Sequence, residues 1–197
     1  MRLFVALQPP RDALAELESA VAPLRAGWPA VRWAGPDRWH VTLAFLGEVA
    51  EPRLDGLRER LARAAGRHPP VRVRIGRGGA FPAPGRARVL CAHIEGEPRA
   101  LAGLRALAGS VAAGARRAGA PPPDEGRRYR PHVTLARSRQ PADLGPLVEA
   151  LSEFTGSAWS ATRIELVRSE TGPQPRHQVI GTWPLRRESG SGILSDR

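Results

Sequence analysis

The sequence contains no lysine, a single cysteine and no long apolar run among its 197 residues. One cysteine, Cys91, cannot form an internal disulfide, and the apolar segment around it at residues 89–92 predicts a buried thiol in a cytosolic protein. The apolar segment within residues 1–10 ends in prolines and is too short for a signal peptide or a membrane span. No later stretch is long enough to cross a bilayer, so we expect a cytoplasmic protein without membrane attachment.

Because lysine is missing, all 30 basic residues are arginines, which give a formal net charge of +11 and a pI near 11.6. Such a charge favours a polyanionic partner, but abundant Ala, Gly, Pro and Arg would also result from a GC-rich coding sequence. The placement of the arginines is more informative, because seven of them lie beside two copies of a short motif: Arg32, Arg38, Arg127, Arg128, Arg130, Arg137 and Arg139. Since arginine binds phosphate through charge-assisted, often bidentate hydrogen bonds, this clustering predicts a phosphate-bearing substrate.

The motif is the pentapeptide His-Val-Thr-Leu-Ala, which occurs at residues 40–44 and again 92 positions later at residues 132–136. Both copies lie in segments typical of β-strands, in which successive side chains point to opposite faces. In each copy, His and Thr therefore share one face, while Val and Leu are expected to face a core. Two such strands would supply the imidazoles and hydroxyls of His40, Thr42, His132 and Thr134 to one cleft, which is a catalytic arrangement.

The same residue types also have structural interpretations. A single copy would most often be an ordinary strand, and threonine is common in strands, so it is the duplication that favours catalysis. A zinc site usually needs a further His, Cys or carboxylate at short spacing, and neither copy has one. We therefore predict no metal and no cofactor. His68 and His93 are expected to be structural or solvent-facing, whereas His177 is a weaker candidate for the site.

Helical and strand periodicities alternate along the chain. They predict helices at residues 11–26, 52–65, 98–118 and 144–154. They predict strands at residues 2–8, 31–33, 39–46, 71–75, 87–94, 131–137, 160–167 and 178–185. The glycine-rich segment 76–85 is predicted to be a loop. With one motif strand in each half, this order predicts an α+β fold of two similar lobes.

The predicted domain organisation is simple. Residues 1–186 are expected to form a single bilobal domain, with the crossover between lobes near residues 66–96. The tail at residues 187–197 is expected to be disordered, because it is short, terminal and rich in Ser and Gly.

The two motifs and their flanks resemble those of a known family. The chain opens with Met-Arg-Leu-Phe-Val-Ala-Leu, Phe-Leu-Gly follows the first motif, and the second reads Pro-His-Val-Thr-Leu-Ala-Arg. From residue 1 to about residue 185 the chain is similar to the 2H phosphoesterase superfamily. Within it, the similarity is to the RNA 2′,3′-cyclic phosphodiesterases, also called 2′-5′ RNA ligase-like proteins. The sequence departs from the family at Arg176-His177, where the family often has tyrosine.

The resemblance implies two pseudo-symmetric lobes of mainly antiparallel sheet, flanked by helices, with both motifs lining a central cleft. It also implies metal-free hydrolysis of RNA 2′,3′-cyclic phosphate ends to 2′-phosphates. His40 would be the proton donor and His132 the proton acceptor, with Thr42 and Thr134 holding the phosphate. The substrates would be RNA ends or small cyclic nucleotides, and we expect a monomer.

This chemistry also follows from the residue types. Opening a cyclic phosphodiester requires a base that deprotonates water and an acid that protonates the leaving ribose oxygen, and two histidines can hold opposite protonation states near neutral pH. The threonine hydroxyls and an arginine such as Arg137 can stabilise the phosphoryl oxygens. On a regular strand, however, Arg137 would point to the Val133 face, so a bulge or a strand end must redirect it.

The sequence leaves two alternatives open. One is a 2H enzyme with another substrate, such as a 2′-5′ oligonucleotide or an ADP-ribose cyclic phosphate, and whether ligation occurs is equally open. The other is a non-catalytic RNA-binding module in which the arginines act with the indoles of Trp28, Trp33 and Trp39 as stacking surfaces. That interpretation does not explain the paired histidines and threonines.

Overall fold

A computed structural model describes residues 1–123, 128–170 and 176–186 of the chain. Within these residues the helices are α1 (Arg11–Arg25), α2 (Leu54–Ala65), α3 (Pro98–Arg117) and α4 (Gly145–Ala150). The strands are β1 (Arg2–Leu7), β2 (Arg32–Trp33), β3 (Val41–Glu48), β4 (Val71–Phe81), β5 (Ala87–Glu95), β6 (His132–Ala142), β7 (Trp159–Ala161), β8 (Arg163–Glu170) and β9 (Arg176–Pro184). The fold is α+β, as predicted.

All strand pairs are antiparallel, and the order across the sheet is β7-β4-β5-β6-β3-β1-β8-β9. The sheet divides into two halves, β7-β4-β5-β6 and β3-β1-β8-β9, which form the two lobes. Strands β6 and β3 meet at a single residue pair, Val133 and Val41. Short β2 also pairs with β6, next to that junction. Since β3 and β6 carry the two motifs, the junction of the lobes is where both motifs lie.

Helices cover the sheet because each presents an apolar stripe to it. Helices α2 and α3 pack on each other, and they contact β9 and β3 respectively, whereas α1 and α4 contact β4. The buried side chains of α2 include Leu57 and Leu61, and those of α3 include Leu104, Leu107 and Val111. One continuous core cluster links the two lobes. This cluster supports the predicted single domain at residues 1–186, which remains a prediction.

The predicted loop at residues 76–85 is wrong over its first part, because β4 continues to Phe81. Three glycines of this strand lie where a neighbouring side chain fills the space of the missing Cβ. His93 lies over Gly79, Leu151 over Gly78 and the Glu95 carboxylate over Gly76. Glycine inside a strand often marks such a close approach, so here it reflects packing instead of a turn.

The order of the lobes along the chain is less regular than an internal repeat predicts. The chain enters the second lobe directly after α2, and both β4 and β5, within the predicted crossover at residues 66–96, belong to that lobe. After β7 the chain returns to the first lobe, where β8 pairs with β1. The tail predicted at residues 187–197 lies outside the described residues. In the parts of the chain that are described, no helix is both long enough and apolar enough to span a membrane.

Candidate active site

The two motifs are positioned by the buried half of each pentapeptide. Val41, Leu43, Val133 and Leu135 are all buried, with exposed fractions of 0 to 4%. The alternating histidines and threonines of both motifs are half-buried, on the opposite faces of their strands. The pair formed by Val41 and Val133 joins the strands, so both polar faces lie next to the junction of the lobes. Strand β3 begins one residue later than the motif, which leaves His40 just before it.

Both motif histidines make the same local hydrogen bond. The Nδ1 atom of His40 donates to the backbone carbonyl of Arg38 at 2.8 Å, and that of His132 donates to the carbonyl of Arg130 at 2.7 Å. Each bond runs to the residue two positions earlier, so the same backbone shape holds both rings. Because Nδ1 carries the proton, Nε2 is the ring nitrogen left to exchange a proton with a ligand.

Aromatic rings also contact both imidazoles. Phe4 of β1 stacks on His40 with 4.5 Å between the ring centroids, and His177 of β9 contacts both rings edge-on at 5.3 and 5.0 Å. In the second lobe, Phe81 contacts His132 edge-on at 5.0 Å. These contacts restrict the rings and remove water from one side of each.

This environment favours the neutral form of both histidines. The pKa of His40 is lowered to about 4, mainly by burial and also by the neighbouring positive charge of His177, while the hydrogen bond to Arg38 opposes the shift. Burial also lowers the pKa of His132, with a further contribution from His93. Without a ligand, both rings are therefore neutral near pH 7, and an anionic ligand would raise both pKa values.

A bulge brings Arg137 to the histidine face. The pairing of β5 with β6 moves from Cys91–Thr134 to Leu90–Ala136, so Leu135 is an extra residue and the alternation of faces resets after it. The register shift puts Arg137 on the same face of β6 as His132 and Thr134, and its positive charge makes a small contribution to the lowered pKa of both motif histidines. The redirection that the sequence required is thus present.

The first motif contains the same bulge. Strand β1 pairs through Ala6 with Thr42 and then through Val5 with Ala44, so Leu43 is the extra residue. The residue five positions after His40 therefore also points to the histidine face, and this residue is Phe45, which is 40% exposed. The cleft has a cationic side chain in one lobe and an aromatic one at the equivalent place in the other.

Sequence reasoning missed or underrated several neighbours of the site. Strand pairing places His93, expected to be structural or solvent-facing, opposite His132. His177, the weaker candidate, contacts His40. Only sheet register brings these residues in, and no local pattern marks them. His68, by contrast, lies outside the cleft and contacts the Ser110 hydroxyl at 2.8 Å.

Cys91 and the possible metal ligands remain to be placed. Cys91 is buried beside Thr134, and burial raises the pKa of its thiol to about 12, so it is protonated and does not act as a nucleophile. The described part of the chain contains no group of three or more His, Cys, Asp or Glu side chains placed to hold a metal ion. Metal independence is therefore a question for experiment.

The sequence of the chain matches a known protein family. A sequence model described as the 2′-5′ RNA ligase superfamily matches residues 10–173. The chain belongs to this superfamily. The family predicted from the two motifs is confirmed, and so is the class of enzyme that it implies, a 2H phosphoesterase.

Relatives of this 2′-5′ RNA ligase superfamily member match over most of its length. A Thermus thermophilus protein named RNA 2′,3′-cyclic phosphodiesterase is 37% identical over 96% of this chain and 93% of the relative. An Aeropyrum pernix protein of the same name is 32% identical over 79% of this chain and 82% of the relative. Both matches cover more than three quarters of each chain.

Solved structures agree with the fold. The structure of the protein TT0787 from Thermus thermophilus has a TM-score of 0.73 and 32% identity, covering 95% of this chain and all of that one. The structure of E. coli LigT in its apo form has a TM-score of 0.70 and 25% identity, covering 94% of this chain and 97% of that one. The bilobal α+β architecture is therefore that of this superfamily.

Proposed function

We propose that this protein is an RNA 2′,3′-cyclic phosphodiesterase that opens 2′,3′-cyclic phosphate ends to leave 2′-phosphates. The observation that carries the proposal is the joining of two identical His-x-Thr faces at the pair Val41–Val133, with Arg137 brought by a bulge to the same strand face as His132. The names of the relatives from Thermus thermophilus and Aeropyrum pernix support the same activity.

In the proposed reaction, His132 accepts a proton from water as the water oxygen attacks phosphorus. The bond from phosphorus to the ribose 3′ oxygen breaks, and His40 gives its proton to that oxygen. The phosphate stays on the 2′ oxygen, and both histidines return to their starting states by exchange with solvent. Thr42, Thr134 and Arg137 donate hydrogen bonds to the phosphoryl oxygens, whose negative charge grows in the transition state.

The substrate itself helps to establish these protonation states. His40 must carry a proton to act as the donor, yet burial holds its pKa at about 4 in the free protein. A cyclic phosphate beside the ring brings a negative charge into a poorly hydrated site, and that charge favours the imidazolium form. Proton uptake on binding is therefore part of the proposed mechanism.

The deciding experiment is a product analysis. A ribo-oligonucleotide that ends in a 2′,3′-cyclic phosphate is incubated with the protein, and the products are resolved by ³¹P NMR. We expect a 2′-phosphate. A predominant 3′-phosphate would contradict the assignment of His40 to the 3′ oxygen, and no turnover would contradict the proposed activity. A joined 2′-5′ product from two oligonucleotides would favour ligation instead.

The same assay tests metal independence. Activity should survive exhaustive chelation, because the proposed acid, base and anion ligands are all side chains. Loss of activity that is restored only by added zinc or manganese would contradict this part of the proposal. The control is the same assay with chelator that is already saturated with metal, which shows any effect of the chelator itself.

A further inference from the structure

A groove of about 830 Å³ extends from the candidate active site to helix α3. Thr42 and His132 line its end at the site. Helix α3 forms one wall, and residues 42–45 of β3, the end of β4, the start of β5 and residues 128–130 form the others. We call it the arginine groove, because its lining includes Arg88, Arg105, Arg116, Arg128 and Arg130.

The wall formed by α3 is a single stripe of the helix. Arg105, Ala108, Gly109, Ala112 and Arg116 line the groove at helical spacing. Two long cationic side chains thus stand one at each end of a floor of small residues. A chain-like ligand could lie close to these small residues, within reach of the Arg105 guanidinium.

The wall formed by the end of β4 and residues 128–130 combines cationic and aromatic side chains and contacts the candidate active site. The Arg130 guanidinium lies over the ring of Phe81 at 5.8 Å, and the same ring contacts His132 edge-on. The Tyr129 hydroxyl donates to the backbone carbonyl of Thr42 at 3.0 Å, which ties this segment to the first motif strand. The groove and the candidate active site therefore share a wall.

The charged side chains that line the groove, among the residues that the structure describes, are all arginines, and none is Asp or Glu. The Arg88 guanidinium donates to the backbone carbonyl of Arg139, which is neutral, so this contact leaves the charge of Arg88 uncompensated. Phe45, which is exposed, also lines the groove. Guanidinium groups beside an exposed aromatic ring suit a single-stranded nucleic acid, since the cations follow the phosphates and the ring stacks with a base.

We propose that the arginine groove binds the RNA strand that leads to the 2′,3′-cyclic phosphate, an inference that rests on the proposed function. A cyclic phosphate lies at the 3′ end of its strand, so the rest of the strand is attached to the terminal ribose through its 5′ oxygen. A strand whose last phosphate lies at His132 and Thr42 needs an exit from the cleft, and the groove begins at these residues. The preferred substrate is then an oligonucleotide, and a cyclic mononucleotide uses only the end of the site.

The test compares two substrates, 2′,3′-cyclic AMP and a hexaribonucleotide that ends in a 2′,3′-cyclic phosphate. The wild-type protein should prefer the hexamer in kcat/KM. In the double variant Arg105→Gln/Arg128→Gln, the ratio of kcat/KM for hexamer over mononucleotide should fall about tenfold, since two charge-assisted contacts are lost. An unchanged ratio would overturn the proposal.

A matched control removes the same charge from elsewhere. Arg99 and Arg117 are exposed, lie on or at the end of the same helix and do not line the groove. The variant Arg99→Gln/Arg117→Gln should leave the substrate ratio unchanged. A tenfold fall in this variant as well would mean that net charge attracts the RNA, and the groove assignment would be wrong.

A binding measurement separates this proposal from the proposed function. A 5′-fluorescein hexaribonucleotide with a 3′-terminal 2′-phosphate is titrated with protein at several salt concentrations, and anisotropy gives the affinity. Loss of two phosphate contacts should reduce the slope of log affinity against log salt by about 1.4 in Arg105→Gln/Arg128→Gln. This result would support the groove even if no turnover were found. Equal slopes in the variant and the control would contradict it.

Discussion

Strands β3 and β6 carry the same five residues, yet they provide different surroundings for them. Both contain a bulge at the motif leucine and the same hydrogen bond from the histidine to the carbonyl two residues earlier. The neighbours differ. Phe45 in the first lobe stands where Arg137 stands in the second, and Ala6 where the second lobe has Cys91. An identical local sequence thus gives the same bulge and the same histidine hydrogen bond, while the flanking and paired residues give each lobe its own chemistry.

Removing the imidazoles is the strongest test of whether the two motifs contribute equally to one reaction. His40→Ala and His132→Ala should each lower kcat by at least about a hundredfold, because each deletes one partner in proton transfer. The double variant should be little worse than the worse single variant, since the two histidines act in one step. His68→Ala, outside the cleft, serves as the control, and circular dichroism confirms the fold.

If the loss in the double variant were the product of the two single losses, the histidines would act independently. The two motifs would then not form one acid–base pair. A loss in only one single variant would limit catalysis to one motif.

The difference between the lobes is tested by Arg137→Gln and Phe45→Leu. Arg137→Gln should lower kcat/KM about a hundredfold, because it removes a charged donor to the phosphoryl oxygens. Phe45→Leu should cost only a few-fold, since it changes an apolar contact. Arg137→Lys should fall between wild type and Arg137→Gln, because the charge remains but the fork of donors is lost. Steady-state kinetics on the cyclic-phosphate hexamer gives all three values, and equal losses for Arg137→Gln and Phe45→Leu would contradict the asymmetry.

The pH dependence tests the shared environment of the two rings. Activity requires a neutral base, so kcat/KM rises as the pH increases through the pKa of the base; it also requires a protonated acid, so kcat/KM falls above the pKa of the acid. In the free protein, burial lowers the pKa of both histidines below the ordinary value of 6.5. The bell-shaped profile of kcat/KM should therefore have its maximum below pH 6.5.

In the profile of kcat, which reports on the complex with substrate, the maximum should lie at a higher pH, since the bound phosphate raises both pKa values. A maximum of kcat/KM above pH 7 would show that the free protein does not hold the rings in their neutral form.

The smallest expected effect comes from the accessory histidines. The positive charge of His177 lowers the pKa of His40, and that of His93 lowers the pKa of His132. His177→Gln should therefore raise the pKa of His40 and leave that of His132 unchanged, while His93→Gln should do the reverse. NMR titration of the imidazole protons measures both values in each variant. If either variant moved the two pKa values equally, each accessory histidine would not act mainly on the ring of its own lobe.

Much of this site could be predicted from the sequence because the relevant information is local. The alternation of side chains along a strand placed His40 with Thr42 and His132 with Thr134, and the duplication indicated that both pairs serve one cleft. The same rule showed that Arg137 could reach the site only through a bulge or a strand end. By contrast, the strand at Gly76 to Phe81 was missed, because its glycines are a turn signal unless a neighbouring strand fills the space of the missing side chains.

The sequence by itself determined the two motif faces, the α+β class and the family, because strand periodicity and repeated motifs can be read over a few neighbouring residues. Only the tertiary structure decided which side chains surround the histidines. Phe4, Phe81, His93 and His177 reach the cleft through the pairings of the whole sheet, some of which join strands far apart in the chain, such as β1 with β8 and β5 with β6. Register between distant strands depends on how the whole core packs, so local patterns do not specify it. The same packing lowers the histidine pKa values, since burial depends on every element around a ring.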